Sequence, residues 1–432
     1  MKIAILGGGM TGLTAAYYLG KKGHQVTVFE KEPVLGGLAS GFKQSNWDWY
    51  LEKTVHHLFS NDSDILNFAK EIRFEKIFFQ NPTTASLYNL GKIDSFSTLP
   101  LDTVYDFLKF PLLDFPDKIR TGLVLAFLKF SPFFSVYEKQ TAKEFLQKTM
   151  GKKAWEVLWQ ELFRKKFGKY AENILASFIW ARIKKRSKSL GYIEGGFQIF
   201  INYLENQLEN LFSFAKATED KRVNLLTSYE INKIERKNFK FQISNFKFDC
   251  VISTLPTLIL TKIGDKLFPA EYLNRLKSIN YLHSVSLILE TEKPLLEKAY
   301  WLNICDKNIP IMGMFQQTNF IDKKHYGGKH ITYLGWYVDL EDRRWKMEGR
   351  EILNDIKPYL KRILNFKFKI LNYRLFKAMY AQPIFDKEFL KNKPDFETPI
   401  KNFYIANLDM TYPYDRGINY AVKLGKEVSQ LL

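Results

Sequence analysis

Apolar residues form short runs near both ends of the chain and recur at helical spacing between them. Ile3-Ala4-Ile5-Leu6 is an unbroken apolar run, which predicts a buried strand over Lys2 to Leu6. Leu13 to Leu19 is small and apolar and predicts a helix that Gly23 ends; Gln25 to Phe29 alternates into a second strand closed by Glu30. Further along, Asp64 to Ile72, Ala142 to Met150, Ile199 to Leu211 and about Glu348 to Leu364 read as helices, and Trp155, Leu158, Trp159 and Leu162 read as one helix face. Asp249 to Pro256, Ser284 to Leu289, Lys329 to Val338 and Asn402 to Ala406 read as strands. The polar stretch Phe212 to Arg222 reads as a surface insertion. Thr121 to Val136 is the most apolar stretch, but Lys129 interrupts it and it falls short of the roughly 18 residues of a membrane span. It is expected to be a buried or substrate-lining helix, with a peripheral membrane-surface patch as the alternative.

The first β-turn-α-β unit carries the clearest chemistry. Gly7-Gly8-Gly9-Met10-Thr11-Gly12 fits G-x-G-x-x-G between the first strand and the first helix. Gly7 permits the tight turn, Gly9 leaves room for a pyrophosphate, and Gly12 lets helix and sheet pack closely. The helix N-terminus, at Met10 and Thr11, offers free N–H groups and partial positive charge to phosphate. Glu30 lies at about the 20-residue distance expected of a ribose-binding acid. Together these predict dinucleotide binding.

Composition narrows the class. At 432 residues the chain is long enough for two or three domains, and 46% hydrophobic content excludes disorder. The net charge of +18 is compatible with an anionic small-molecule substrate. The lysines are scattered, with no basic tail, so no nucleic-acid partner is expected. Cys250 and Cys305 form no CxxC pair, and no metal site or disulfide framework is predicted. No signal-peptide pattern precedes the first strand, which leads us to expect a cytoplasmic protein, with membrane association only through 121–136. Nothing in the sequence sets an oligomeric state.

After Glu30 comes Lys31-Glu32-Pro33-Val34-Leu35-Gly36-Gly37-Leu38-Ala39-Ser40. This resembles the second glycine motif of the superfamily of FAD-dependent amine oxidases, protoporphyrinogen oxidases and UDP-galactopyranose mutases. Leu35 and Leu38 stand where that family often has arginines. At the far end, Asn407-Leu408-Asp409 and Tyr412-Pro413-Tyr414-Asp415-Arg416-Gly417-Ile418-Asn419 resemble the family's closing motif, with Asn407 where glycine is common. The resemblance implies FAD as cofactor, Asp409 as ligand of the ribitol chain, and Gly417, Ile418 and Asn419 beneath the flavin. Gly191 to Gln198 resembles the family's middle Gly-Gly segment, and Ile231 opens the strand whose backbone would meet adenine. Gly36, Gly37 and the flanking Lys31 and Leu38 join the cofactor set.

The implied fold is α/β: a Rossmann-type, glutathione reductase-like FAD-binding domain with an inserted α+β substrate domain. Its cofactor domain would be discontinuous, over 1–60, 186–260 and 386–432, with 61–185 and 261–385 forming the substrate or cap domain. His57-Leu58-Phe59 resembles the His-x-Phe segment near the flavin in UDP-galactopyranose mutases, which makes His57 the catalytic candidate; the alternative is a structural histidine with a backbone partner. Arg416 and Tyr414 precede the flavin-facing helix. Arg416 suits an anionic group, or a pairing with Asp415 or Glu52. Lys165, Lys166 and Arg182 resemble cleft positions; Trp336, Tyr337 and Tyr380 suit core packing or a pocket wall. The expected activity is an FAD-dependent oxidoreductase taking hydride from an organic substrate to flavin N5. The alternatives are a redox-neutral mutase using reduced flavin and a non-catalytic flavin-binding protein.

Overall fold

A computed structural model describes residues 1–91, 95–210 and 222–432. The expected insertion Phe212 to Arg222 lies outside the described residues except for Arg222. Strand β1 (Lys2–Leu6) leads through a glycine turn into helix α1 (Met10–Lys21) and strand β2 (Gln25–Phe29). These bounds follow the apolar runs, since Ile3 to Leu6 are buried on both faces of the sheet.

The chain then leaves this sheet and builds helices α2 (Ser63–Glu71), α3 (Val104–Leu108), α4 (Phe115–Phe130), α5 (Glu161–Phe167) and α6 (Ala176–Lys185). A π-helical turn over Trp155–Gln160 precedes α5. Its wider pitch breaks the expected single face: Trp155 and Leu158 are buried, while Trp159 and Leu162 are half-buried. Helix α4 overturns the expectation of burial. Asp114 caps it eight residues before Gly-Leu-Val-Leu begins, and only Thr121 and Leu128 are buried. Leu123, Phe127 and Phe130 are 68%, 64% and 79% exposed. One helix face packs on α6 and on the helix Ala142–Met150, and the apolar stripe lies on the other.

Helix α7 (Phe197–Asn210) returns the chain to the first sheet, followed by β3 (Val223–Leu226), β4 (Cys250–Ser253), β5 (Phe403–Ile405) and α8 (Ile418–Gln430). The five strands are all parallel, in the order β3-β2-β1-β4-β5. Ile5 lies opposite Val28 on one side and Ile252 on the other. Ile3 and Ile5 enter one core, Ala4 and Leu6 the other. The strand expected at Ile231 to Ile234 does not form. The sheet edge is taken by β3, the N–H groups of Ser228 and Tyr229 donate to the carbonyls of Glu32 and Glu30, and the chain then enters a meander over residues 235–248. Ile231 is left in a coil, half-buried against the core.

A seven-stranded sheet combines chain from both sides of α7. Its order is Ile370–Pro383, Tyr281–Thr291, His330–Val338, Gly313–Gln316, Ala299–Ile304, Thr83–Asn89 and Phe96–Pro100. All pairings are antiparallel except Ala299–Ile304 with Thr83–Asn89. The helix Gly349–Leu364 covers it through Ile352, Ile356 and Leu360, whose four-residue spacing makes one apolar stripe.

Candidate functional site

The two glycine motifs meet backbone to backbone. Gly7 has φ +105° and donates its N–H to the Phe29 carbonyl at 2.8 Å. A Cβ on Gly12 would lie 2.1 Å from the Gly7 carbonyl oxygen, so α1 starts against the turn that precedes it. Gly36, at φ +115°, donates to the Gly8 carbonyl at 2.9 Å and forms a parallel bridge with Gly9. Gly9 differs from its neighbours: its φ is −76°, and a Cβ there would meet only Gly37 Cα, at 3.9 Å. The gap above Gly9 and Gly37 is therefore free of side chains. Helix α1 has no side-chain cap and no acid in its first turn, which leaves its N–H groups and dipole facing that gap.

Glu30 is buried at the rim. One carboxylate oxygen accepts the Gly8 N–H at 2.8 Å and the other the Glu32 N–H at 2.9 Å, which fixes the group and leaves each oxygen a further lone pair. Met10 points into the core and Thr11 is half-buried, so only their backbone N–H groups serve the gap. Lys31 is exposed, 3.6 Å from Glu32, and Leu38 is exposed beside Gly37.

The closing motif builds a second anchored acid. Asp409 is 1% exposed. Its Oδ2 accepts from Thr257 Oγ1 and, at 2.5 Å, from the Tyr281 hydroxyl; its Oδ1 has no protein partner. Burial pushes its pKa up to about 6, against the two donors. Asn407 explains why glycine is dispensable here. Its φ is −137°, so the turn needs no left-handed residue, and its amide donates to the Leu255 carbonyl and Thr257 Oγ1, both at 2.9 Å. Gly417 precedes α8 with neither a side-chain cap nor an acid in the first turn, and Ile418 is buried behind it. Asn419 turns away from this N-terminus. Its Oδ1 accepts from the N–H groups of Asp64 and Ile65, so it caps α2 from another element. A Cβ on Gly425 would lie 2.5 Å from the Thr11 carbonyl, so α1 and α8 cross in backbone contact. The N-terminus of α8 stands about 12 Å along its axis from that crossing.

A chain of cations and rings joins His57 to Arg416. The His57 ring is 5.7 Å from Trp301, and Arg182 lies 5.9 Å from the same indole. Arg182 approaches Asp415 at 4.0 Å, and Lys166 pairs with Asp415 at 2.5 Å. Arg416 donates its backbone N–H to Asp415 and its guanidinium to the Ala381 carbonyl and the Tyr337 hydroxyl. Burial lowers the Lys166 pKa to about 8 despite Asp415. Burial alone would raise Asp415, but Lys166, Arg416 and Arg182 hold it below the usual carboxylate range. Burial, then His56, Arg182 and Arg186, lower His57 to about 3, and its Nδ1 has no partner. His57 is therefore neutral at physiological pH. His56 has the backbone partner instead, donating to the Thr54 carbonyl at 2.8 Å.

Several sequence candidates fall outside this network. Tyr414 stacks on Tyr420 at 4.8 Å and 13°. Glu52 does not pair with Arg416: it accepts from the Tyr192 hydroxyl and the Phe197 N–H, at the start of α7. Lys165 ties α5 to the carbonyls of Ile304, Asp306 and Ile311. Trp336 is core and bonds the Pro310 carbonyl, whereas Tyr337 joins the network. Trp301, Thr257 and Tyr281 escaped the sequence reading, since no motif marks them. Among the described residues no cluster of His, Cys, Asp or Glu could hold a metal ion, and no helix is long and apolar enough to cross a membrane.

Known proteins resemble this chain in sequence and in fold. The chain resembles the 15-cis-phytoene desaturase of Synechococcus elongatus, 29% identical over 159 residues, which are 34% of this chain and 33% of that protein. It resembles the chloroplastic/chromoplastic 15-cis-phytoene desaturase of Arabidopsis thaliana at 25% identity, over 34% of this chain and 28% of that one. The match thus spans a third or less of these relatives' length. Among solved structures, an oxidoreductase from Methanosarcina mazei superposes over 100% of both chains, with TM-score 0.77 and 19% identity. Reduced UDP-galactopyranose mutase superposes over 100% of this chain and 93% of its own, with TM-score 0.73 and 15% identity, which is a likeness of fold. An engineered putrescine oxidase does so over 99% and 98%, with TM-score 0.74 and 14% identity. The family pattern described as flavin containing amine oxidoreductase matches residues 10–432. The glycine cradle, the uncapped helix ends and a match over nearly the whole chain together place this protein in the flavin containing amine oxidoreductase family.

Proposed function

We propose that the chain is an FAD-dependent oxidoreductase acting on an organic small molecule. The observation that carries this reading is the side-chain-free gap between Gly9 and Gly37, under the uncapped N-terminus of α1 and beside Glu30. The N–H groups of Met10, Thr11 and Gly12 would receive the diphosphate, with Gly7, Gly36 and Gly37 shaping the turn. Glu30 would accept from the ribose hydroxyls, and the unpartnered Oδ1 of Asp409 from the ribitol chain. The uncapped start of α8 at Gly417 would stabilise negative charge on the flavin ring. FAD, when bound, supplies a two-electron hydride acceptor.

The protein's own part is to bind, orient and manage protons. Neutral His57 presents an unpartnered ring nitrogen to a substrate without adding charge. Within the His57–Arg416 network, Lys166 Nζ, with its pKa near 8, is able to release or take a proton near neutral pH. Asp415 and Tyr337 hold Lys166 and Arg416 in place. The mutase reading draws on the three cations around Asp415. Two of them are already committed, however: Lys166 to Asp415, and Arg416 to Ala381 and Tyr337, which favours a substrate with an uncharged body.

The test is anaerobic bleaching of the bound flavin by a panel of polyenes, polyamines and porphyrinogens, the substrate classes named by the relatives and their kin. Bleaching by one member, reversed by an electron acceptor, is the expected result. Isomerisation of UDP-galactopyranose by the dithionite-reduced protein, with no acceptor consumed, would overturn the oxidoreductase reading. A folded, colourless protein that takes up no FAD would overturn the cofactor assignment.

A further inference from the structure

Helix α4 exposes Phe115, Ile119, Leu123 and Phe127 at four-residue intervals, followed by Phe130. Its neighbour α3 adds Val104, Tyr105 and Leu108, of which none is buried. Isolated exposed apolar residues are ordinary, but a continuous stripe shared by two helices is not. We infer that the α3–α4 face is a docking surface for an anionic lipid bilayer, on which α4 lies in the plane of the headgroups.

Three observations commit the face to this occupant. First, α4 has 16 residues, about 24 Å of helix, and its other face holds Thr121 and Leu128 against the protein, so it can lie on a bilayer but not cross it. Second, cations border the stripe. Lys109 Nζ stands 4.1 Å over the Tyr105 ring, Lys118 Nζ donates to the Leu108 carbonyl between the two helices, and Lys184 Nζ donates to the Ser131 carbonyl just past α4. The acids nearby are held at helix N-termini. Asp106 forms the capping box of α3, and Asp114 caps α4 and faces Lys153. Third, the chain carries a net charge of +18, which attracts an anionic surface and repels a second copy of itself.

The experiment is flotation of the full flavin-loaded chain with vesicles of phosphatidylcholine alone or mixed with phosphatidylglycerol. The mixed vesicles should carry the protein upward, and salt should weaken the binding. Leu123→Glu with Phe127→Glu removes two outward side chains and should lower partition about a hundredfold, with an unchanged thermal melt. Lys109→Glu, which leaves the stripe intact, should lower it about tenfold at low salt and little at high salt. Failure to float with either vesicle, or flotation undiminished by the double substitution, would overturn the inference. A concentration-dependent dimer that the same substitution abolishes, without vesicle binding, would assign the face to a second copy instead.

Discussion

Gly9 and Gly12 belong to one motif, yet the structure predicts opposite consequences for replacing them with alanine. At Gly9 the backbone is already in a conformation any residue adopts, and the new Cβ would meet its nearest neighbour at 3.9 Å, an ordinary contact. Gly9→Ala should fold as well as the parent or gain about 0.5 kcal/mol, because alanine lowers the entropy of the unfolded chain. Its methyl group would occupy the gap expected to hold a diphosphate. Loss of one or two charge-assisted hydrogen bonds, each about 1.5–3 kcal/mol, predicts FAD binding weaker by roughly 10- to 100-fold or more. At Gly12 the Cβ would sit 2.1 Å from the Gly7 carbonyl oxygen, and backbone on both sides must move by over an ångström. Gly12→Ala should cost about 3 kcal/mol of fold stability before any cofactor is added. Circular-dichroism melts of the flavin-free proteins and quenching of FAD fluorescence on titration separate the two quantities. Parental FAD affinity in Gly9→Ala, or a melt lowered as far as that of Gly12→Ala, would refute the reasoning.

Two further outcomes follow from the buried charges. His57 has its folded pKa near 3, below about 6.5 in the unfolded chain, so its contribution is complete above pH 6.5 and is lost as pH falls toward 3, at about 1.4 kcal/mol per unit. Glu52 and Asp409, raised to about 7 and 6, act in the opposite sense and mask this in the parent, so the informative quantity is the difference between His57→Gln and the parent. Urea titrations should show that difference moving by about 2.3 kcal/mol in the variant's favour between pH 6.5 and 4.5; a constant difference would mean that His57 titrates in the folded protein as it does in the unfolded chain. Lys166→Met removes the closest partner of Asp415 and leaves it Arg182 at 4.0 Å, the nearby Arg416 charge and a backbone N–H; it should cost about 3 kcal/mol, while adding Asp415→Asn should restore at least half of it. Additive losses in urea melts would show that the pair is not coupled.

The ends of the chain were legible because their chemistry is local. A glycine turn, a helix start and an acid at a strand end are each set by neighbours within a few residues; β1, α1, β2 and β5 appear where the apolar pattern puts them, and α8 where the closing motif implies a helix. What the sequence hid was long-range. Glu52, four residues before the His56-His57 pair, looked available to Arg416, but its partners Tyr192 and Phe197 come from a distant segment. Trp301 joins the site only because the strand Ala299–Ile304 pairs beside Thr83–Asn89. The α4 stripe misled for a different reason: an apolar periodicity identifies a helix face without saying whether anything covers it. Ile231 missed its strand because Val223 to Leu226 reached the sheet edge first.

The contact between Thr11 and Gly425 has a consequence for biosynthesis. The crevice under Gly9 is bounded by residues 7–37, but the helix that presses against α1 comes roughly 400 residues later in the chain. During synthesis the first βαβ unit must wait, with one flank of α1 bare, until Ile418–Gln430 has cleared the ribosomal exit tunnel. If FAD is the cofactor proposed above, nascent chains stalled before Ile418 should bind it more weakly than chains that include α8, and the bare flank of α1 is where a chaperone would find its foothold.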